Sequence, residues 1–188
     1  SWSVRALWVR KFRAETQQLR YWQTQLQKLE THIPTQTLLT WIEKTMSKKK
    51  KILILCTGNS ARSQMAEGLL KHITQSKYEV FSAGTKPSIV RPEAIKVLAE
   101  IGIDIEHNRS KSADEFANEE IDCVLTLCDN AKETCPFFPA KTKVIHHSFE
   151  DPPAIGEADE ETTLKIFRRV RDKIEKYLRQ AISQNIFD

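Results

Sequence analysis

The chain has 188 residues, of which 40% are hydrophobic, with 29 Lys and Arg against 25 Asp and Glu and four cysteines. This composition is typical of a globular protein, and no apolar run approaches the roughly 18 residues that would cross a membrane. Residues 1–50 hold 10 Lys and Arg against 3 Asp and Glu, and residues 51–188 hold 19 against 22, so the larger part of the chain lacks the clustered basic residues of a nucleic-acid-binding protein.

Residues 1–46 are predicted as a mostly helical N-terminal extension of unknown role, and residues 47–188 as the main domain. Apolar residues recur at approximately helical spacing until Pro34, and a run of four lysines then marks a break in composition. Basic residues interrupt the first 13 positions, unlike a secretory signal, so we expect a cytoplasmic protein without a membrane or nucleic-acid partner. The extension is either an upstream appendage or an amphipathic docking helix.

Beyond Lys51 the sequence alternates short apolar runs with amphipathic segments. Strands are predicted near 52–56, 78–82, 121–127 and 143–147, and helices near 62–74, 91–101, 112–118 and 160–182. This alternation predicts an α/β fold, a four-stranded parallel sheet with helices on both faces. Ligands bind at the carboxyl ends of such strands, and the first strand ends at Cys56.

The segment between the first strand and the first helix has the properties of an oxyanion-binding loop. Its small residues allow consecutive backbone N–H groups to surround a tetrahedral anion, to which the following helix adds its positive end. Arg62 would supply a planar fork for two anion oxygens, and the positive field would favour Cys56 as a thiolate nucleophile. The expected substrate-binding residues are Thr57, Gly58, Asn59, Ser60, Ala61, Arg62 and Ser63.

The other three cysteines are Cys123, Cys128 and Cys135. Their spacing and that of the histidines do not fit a zinc site, so no metal is expected, and redox chemistry is the better reading of closely spaced cysteines in a reducing compartment. Cys123, inside a predicted strand, reads as a small buried hydrophobe. Cys128 and Cys135 could also be structural, but their polar surroundings favour reactive thiols.

Residues 56–68, CTGNSARSQMAEG, resemble the signature loop of low-molecular-weight tyrosine phosphatases and of the arsenate reductases that share their fold. The similarity extends over about residues 51–182 and includes the stretch 81–84. The pair Cys128 and Cys135 is similar to the resolving pair of thioredoxin-coupled arsenate reductases. Asp151, followed by Pro152, matches the general acid of the family, although an Asp-Pro pair can also be a plain turn.

The resemblance implies reduction of arsenate to arsenite by a three-cysteine relay. Cys56 would attack arsenic, Cys128 and then Cys135 would resolve the intermediate through disulfides, and Asp151 would donate a proton. Thioredoxin, or glutaredoxin, would supply the reducing equivalents, with no metal or organic cofactor and a weak phosphatase side activity. Phosphatases of the family usually have Tyr after the Asp-Pro pair, and here Pro153 and Ala154 leave little to hold a phosphotyrosine ring.

The sequence departs from the family pattern in two places. Ala61 occupies a position where the reductases often have a further cysteine, which takes no part in the proposed relay. Some relatives bind potassium near the loop, and Asn59, Glu67 and Ser82 match three of the four ligand positions. Lys111 stands at the fourth, an aspartate in those relatives, so its ammonium is expected to replace the ion and potassium dependence is not expected.

Two other functions stay open at this point. A low-molecular-weight protein tyrosine phosphatase would need Cys56, Arg62 and Asp151 but would leave Cys128 and Cys135 without a role. A non-catalytic oxyanion or redox sensor, signalling through the N-terminal extension, would make no use of Asp151. The oligomeric state is not predicted.

Overall fold

A central parallel strand organises the fold. In this computed structural model, which describes residues 49–75, 77–129 and 141–188, the strand β1 spans Lys51–Cys56. Ile52 to Leu55 are fully buried, as expected for a strand covered on both faces. The predicted extension at residues 1–46 and Cys135, the predicted second resolving cysteine, lie outside the described residues.

The sheet has four strands, all parallel, in the order β2-β1-β3-β4. The chain therefore passes from β1 to β2 on one side and crosses to β3 on the other, which opens a crevice at the carboxyl end of β1. Cys56 is the last residue of β1, so it lies at this crevice. The remaining strands are β2, Glu79–Gly84, β3, Cys123–Thr126, and β4, Lys143–His146.

Helices cover the two faces of the sheet, which confirms the predicted fold class. In the described part of the chain the α-helices are α1, Arg62–Thr74, α2, Pro92–Ala99, and α3, Glu160–Ser183. They pack on the face that carries Ile52 and Ile54, and a 3₁₀ helix, Ala113–Phe116, packs on the face that carries Leu53 and Leu55. Alternate residues of β1 thus enter two separate hydrophobic clusters.

Several boundaries differ from the prediction, among them the end of β2, which lies at Gly84 rather than at residue 82. Strand β3 ends at Thr126, two residues before Cys128, although Leu127 still donates its backbone N–H to the Leu55 carbonyl at 2.9 Å. Helix α2 ends at Ala99, and Gly102 follows at a φ of 78°. The segment predicted as a helix near 112–118 forms only the single 3₁₀ turn, which Ser112 begins with a capping box.

Helix α3 begins at an acidic segment, as its sequence predicts. The side chain of Asp159 accepts a hydrogen bond from the backbone N–H of Thr162 at 2.9 Å, and Glu160 and Glu161 follow in the first turn. These carboxylates lie at the positive end of the helix, so the acidic run serves the start of α3. Among the helices in the described part of the chain, none is long and apolar enough to span a membrane.

Candidate active site

The loop after β1 presents its backbone carbonyls outwards. Because the C=O of one residue and the N–H of the next point in opposite directions across a trans peptide, outward carbonyls turn the following N–H groups towards the centre of the loop. The donors to these carbonyls come from the segment after β2 and from α1. The hydrogen bonds run from Thr85, Lys86, Ser88 and Arg91 to Cys56, Thr57, Gly58 and Ser60 in turn, and from the Gln64 side chain to Asn59.

The sulfur of Cys56 lies at the base of this ring of N–H groups. The backbone N–H of Asn59 donates to it at 3.1 Å, and the Ser63 hydroxyl lies 2.9 Å away. Ser63 Oγ already accepts a hydrogen bond from Asn59 Nδ2 at 2.9 Å, which leaves its own proton for the sulfur. The Asn59 N–H and the Ser63 hydroxyl can therefore both donate to the sulfur, an arrangement suited to the predicted nucleophile.

Asn59 holds the loop in shape. Its φ of 45° lies in the left-handed region, which asparagine adopts more readily than most residues, and its side chain is fully buried. Its amide donates to Ser63 and Ser82, while its Oδ1 accepts from Gln64 Nε2 and the Lys111 backbone N–H at 3.0 and 2.8 Å. All four hydrogen-bonding positions of the amide are thus in use.

Gly84, at the end of β2, allows the loop to approach the sheet. A Cβ at this position would lie 2.6 Å from the Thr57 carbonyl oxygen and 2.8 Å from the Asn59 nitrogen, both backbone atoms. Any side chain here would therefore displace the loop. In the sequence, Gly84 is part of the stretch 81–84 that resembles the family, and nothing in it indicates the contact with the loop.

Arg62 and Asp151 meet above the loop. Arg62 is 7% exposed, and its Nη2 lies 2.9 Å from Asp151 Oδ2. Its Nη1 donates to the carbonyl of Phe149 at 3.1 Å, which fixes the guanidinium plane. The predicted anion fork and the predicted proton donor are thus in direct contact. The sequence did not indicate that Phe149 holds the guanidinium.

Cys128 reaches the loop through Thr57. Its sulfur lies 3.3 Å from the Thr57 hydroxyl, the side chain next to Cys56 in the sequence. The expectation of polar surroundings is wrong for this cysteine, because it is 6% exposed and packs in the cluster of Leu55 and Val124. The neighbouring Asp129 is exposed and pairs with His146 Nε2 at 3.1 Å. The buried sulfur of Cys128 is therefore followed directly by an exposed polar residue.

The sequence of residues 51–186 matches the protein family described as low molecular weight phosphotyrosine protein phosphatase. The chain belongs to this family. An arsenate reductase from Halalkalibacterium halodurans is 44% identical to it over 131 residues, which cover 70% of this chain and 94% of the relative. A solved structure described as an arsenate reductase in the oxidized state has a TM-score of 0.61 at 32% identity, and the match covers 72% of this chain and 98% of that one.

A second solved structure of the same fold is described as a thioredoxin-dependent arsenate reductase from Corynebacterium glutamicum. It matches with a TM-score of 0.51 and 26% identity, over 72% of this chain and 65% of that chain. Relatives named for arsenate reduction thus lie within a phosphatase family. The cysteines of this chain are the residues that distinguish the two activities.

A chain of hydrogen bonds connects Cys56, the predicted nucleophile, to a buried carboxylate. Ser82 Oγ accepts from Asn59 and donates to Glu67 Oε2 at 2.5 Å, and Lys111 Nζ lies 3.5 Å from the same oxygen. Glu67 is 3% exposed, and a buried carboxylate requires a positive partner. Lys111 and the more exposed Lys71 provide it here.

Cys123 has the structural role that its place in a strand predicts. It is 1% exposed in β3, and burial raises the pKa of its thiol to about 11. Only about one thiol in 10⁴ would then be ionised at neutral pH, which makes Cys123 a poor nucleophile. Within residues 49–75, 77–129 and 141–188, no cluster of His, Cys, Asp and Glu is arranged to hold a metal ion.

Proposed function

We propose that this chain reduces arsenate to arsenite, with Cys56, Cys128 and Cys135 as a thiol relay. The observation that carries the proposal is the second sulfur at the anion loop, since Cys128 lies 3.3 Å from the Thr57 hydroxyl beside the nucleophile. Hydrolysis of a phosphate ester needs Cys56, Arg62 and Asp151 but no second thiol. A second thiol in contact with the loop is what a disulfide-forming redox step requires.

The first step is attack on arsenic. Arsenate, a tetrahedral oxyanion, binds the inward N–H groups of residues 57–63 and the fork of Arg62. The anion binds the guanidinium in place of Asp151. The released Asp151 carboxylate takes up a proton from solvent and then donates it to the departing oxygen, which leaves as water. The sulfur of Cys56 bonds to arsenic, water leaves, and arsenic remains pentavalent.

The second step transfers the electrons. Cys128 attacks the sulfur of Cys56, the pair of electrons of the sulfur–arsenic bond stays on arsenic, and arsenite leaves as a Cys56–Cys128 disulfide forms. Cys135 then attacks Cys128 and releases Cys56 as a thiolate, with a Cys128–Cys135 disulfide as the product. Arsenate gains two electrons, and two thiols supply them.

Thioredoxin is the proposed reductant of the final disulfide, with glutaredoxin as the other dithiol protein that could serve. The thioredoxin-dependent relative supports this choice. Cys56, Cys123 and Cys128 are free thiols, a state that a reducing compartment such as the cytoplasm maintains. No metal or organic cofactor is needed, because the thiols carry both electrons.

The test is arsenate-dependent oxidation of NADPH by the purified protein with thioredoxin and thioredoxin reductase. We expect turnover with arsenate, none without thioredoxin, and slow hydrolysis of p-nitrophenyl phosphate. Hydrolysis without any arsenate turnover, whether thioredoxin or glutaredoxin is supplied, would instead identify a phosphatase. A protein that turned over neither compound would be an oxyanion or redox sensor, and the proposal would be wrong.

We further propose that Lys111 removes the need for a monovalent cation. Its ammonium lies 3.5 Å from Glu67, so the buried carboxylate already has a positive partner. Arsenate turnover is therefore expected to be equal in potassium and sodium chloride at matched ionic strength. The paired variant Lys111→Asp, which introduces the carboxylate of potassium-binding relatives, should acquire a preference for potassium. A several-fold stimulation of the unaltered protein by potassium would refute the replacement.

A further inference from the structure

One buried arginine joins the anion loop to the segment that carries Asp151. Arg91 is 8% exposed and precedes helix α2. Its backbone N–H donates to the carbonyl of Ser60 at 2.9 Å, and its Nη1 donates to the carbonyl of Pro153 at 3.1 Å. Ser60 belongs to the anion loop, and Pro153 lies two residues after Asp151, so Arg91 contacts both halves of the site.

The side chain of Arg91 is held in place from two other directions. Its Nε and Nη2 donate to the two carboxylate oxygens of Glu93 at 2.8 and 2.6 Å, and its guanidinium lies 5.1 Å from the ring centroid of Phe167. The bidentate pair neutralises the guanidinium and lowers the pKa of Glu93. The charge of Arg91 is therefore balanced by Glu93, and Nη1, the nitrogen that does not contact Glu93, donates to Pro153.

The segment of Asp151 needs such a support once substrate is bound. Asp151 itself is 76% exposed and pairs with Arg62 at 2.9 Å. An oxyanion in the loop binds Arg62 in place of Asp151. The Arg62–Asp151 ion pair then no longer holds the carboxyl group of Asp151. At its other end the segment is fixed, since Phe149 donates its N–H to the Leu127 carbonyl at 3.1 Å and Glu150 pairs with Lys173 at 3.0 Å.

We propose that Arg91 is a positioning residue, which keeps Asp151 in reach of the departing oxygen by tying the Pro153 carbonyl to the anion loop. This proposal uses the proposed function only through proton donation by Asp151, a step that arsenate reduction and phosphate ester hydrolysis share. A proton donor displaced by about 1 Å loses on the order of 10²-fold in rate, so the loss of one of several supports should cost about tenfold.

The experiment compares kcat/KM for two aryl phosphates. Phenyl phosphate has a poor leaving group that needs the proton of Asp151, whereas p-nitrophenyl phosphate has a good one. In Arg91→Met, kcat/KM is expected to fall about tenfold for phenyl phosphate and for arsenate, with little change for p-nitrophenyl phosphate. Inorganic phosphate should inhibit as before, and Arg91→Lys should recover part of the loss.

A matched control is Arg171→Met. Arg171 is also 8% exposed and also donates to a backbone carbonyl, that of Val97 at 2.7 Å, but it lies on α3 away from Asp151. It should lower the thermal midpoint without changing the ratio between the two phosphates. In an Asp151→Asn background the effect of Arg91→Met should disappear, because the group that it positions is gone.

Three outcomes would overturn the role of Arg91: equal losses for both phosphates, weaker inhibition by phosphate, or a full Arg91→Met effect in the Asp151→Asn background. A protein that hydrolyses both phosphates but does not reduce arsenate would refute the proposed function alone and still test Arg91. Turnover of none of the three substrates would refute both.

Discussion

Replacement of Cys128 by serine is expected to abolish arsenate turnover and to leave hydrolysis of p-nitrophenyl phosphate within about twofold of its original rate. The hydroxyl of serine can keep the contact with Thr57, now 3.3 Å from the sulfur, but it cannot attack the Cys56 sulfur and form a disulfide. The two activities should therefore separate in a single substitution. The coupled NADPH assay and the aryl phosphate assay measure them side by side.

Mass spectrometry supplies the direct readout of the same variant. After exposure to arsenate without a reductant, the unaltered protein should lose two hydrogens and contain a disulfide that includes Cys128. The Cys128→Ser protein should keep its thiols, and Cys135→Ser should stop with Cys56 and Cys128 joined. Cys123→Ala is the matched control, since it removes a buried cysteine of the same strand region, and its arsenate turnover should persist.

Unchanged arsenate turnover in Cys128→Ser would refute the relay. Free thiols in the unaltered protein after arsenate exposure would do the same. Equal loss of both activities would show instead that Cys128 supports the loop by packing, because the residue is buried among Leu55 and Val124.

The substitution Cys56→Ser is expected to remove both activities, by on the order of 10⁴-fold or more, because every covalent step begins at this sulfur. Serine is close in size and can keep hydrogen bonds to the Asn59 N–H and to Ser63. The loop should consequently still bind anions. Binding can be followed as the rise in thermal midpoint that inorganic phosphate produces in the variant and in the unaltered protein.

Residual arsenate turnover above about one tenth of the original rate in Cys56→Ser would contradict the assignment of the nucleophile. If phosphate no longer raised the thermal midpoint of the variant, the loss of activity would reflect a collapsed loop, and the test would pass to Cys56→Ala. Loss of turnover in Cys56→Ala with phosphate binding retained would establish the role of the sulfur.

Much of the fold follows from local patterns in the sequence. The apolar run 52–55 predicts β1, because a strand that is buried on both faces is continuously apolar. The 3.6-residue periodicity of 160–182 predicts α3, because a helix that is buried on one face is apolar at every third or fourth residue. Both predictions hold to within a residue or two. The residue types of the anion loop are also local, since Cys56 to Ser63 are consecutive, although the segment after β2 and Gly84 hold the loop in its geometry. Asp159, just before the predicted helix 160–182, is the N-cap of α3.

The contacts between distant segments were decided by the tertiary structure. Cys128 reads as a polar, accessible thiol along the chain, but the sheet order brings β3 beside β1 and buries it against Thr57. Gly84 and Arg91 carry no signal of their role, because each acts on a backbone atom of a remote segment. The chemistry of the nucleophile is thus determined by a short stretch of sequence, whereas the second sulfur and the support of the proton donor depend on which strands and loops become neighbours.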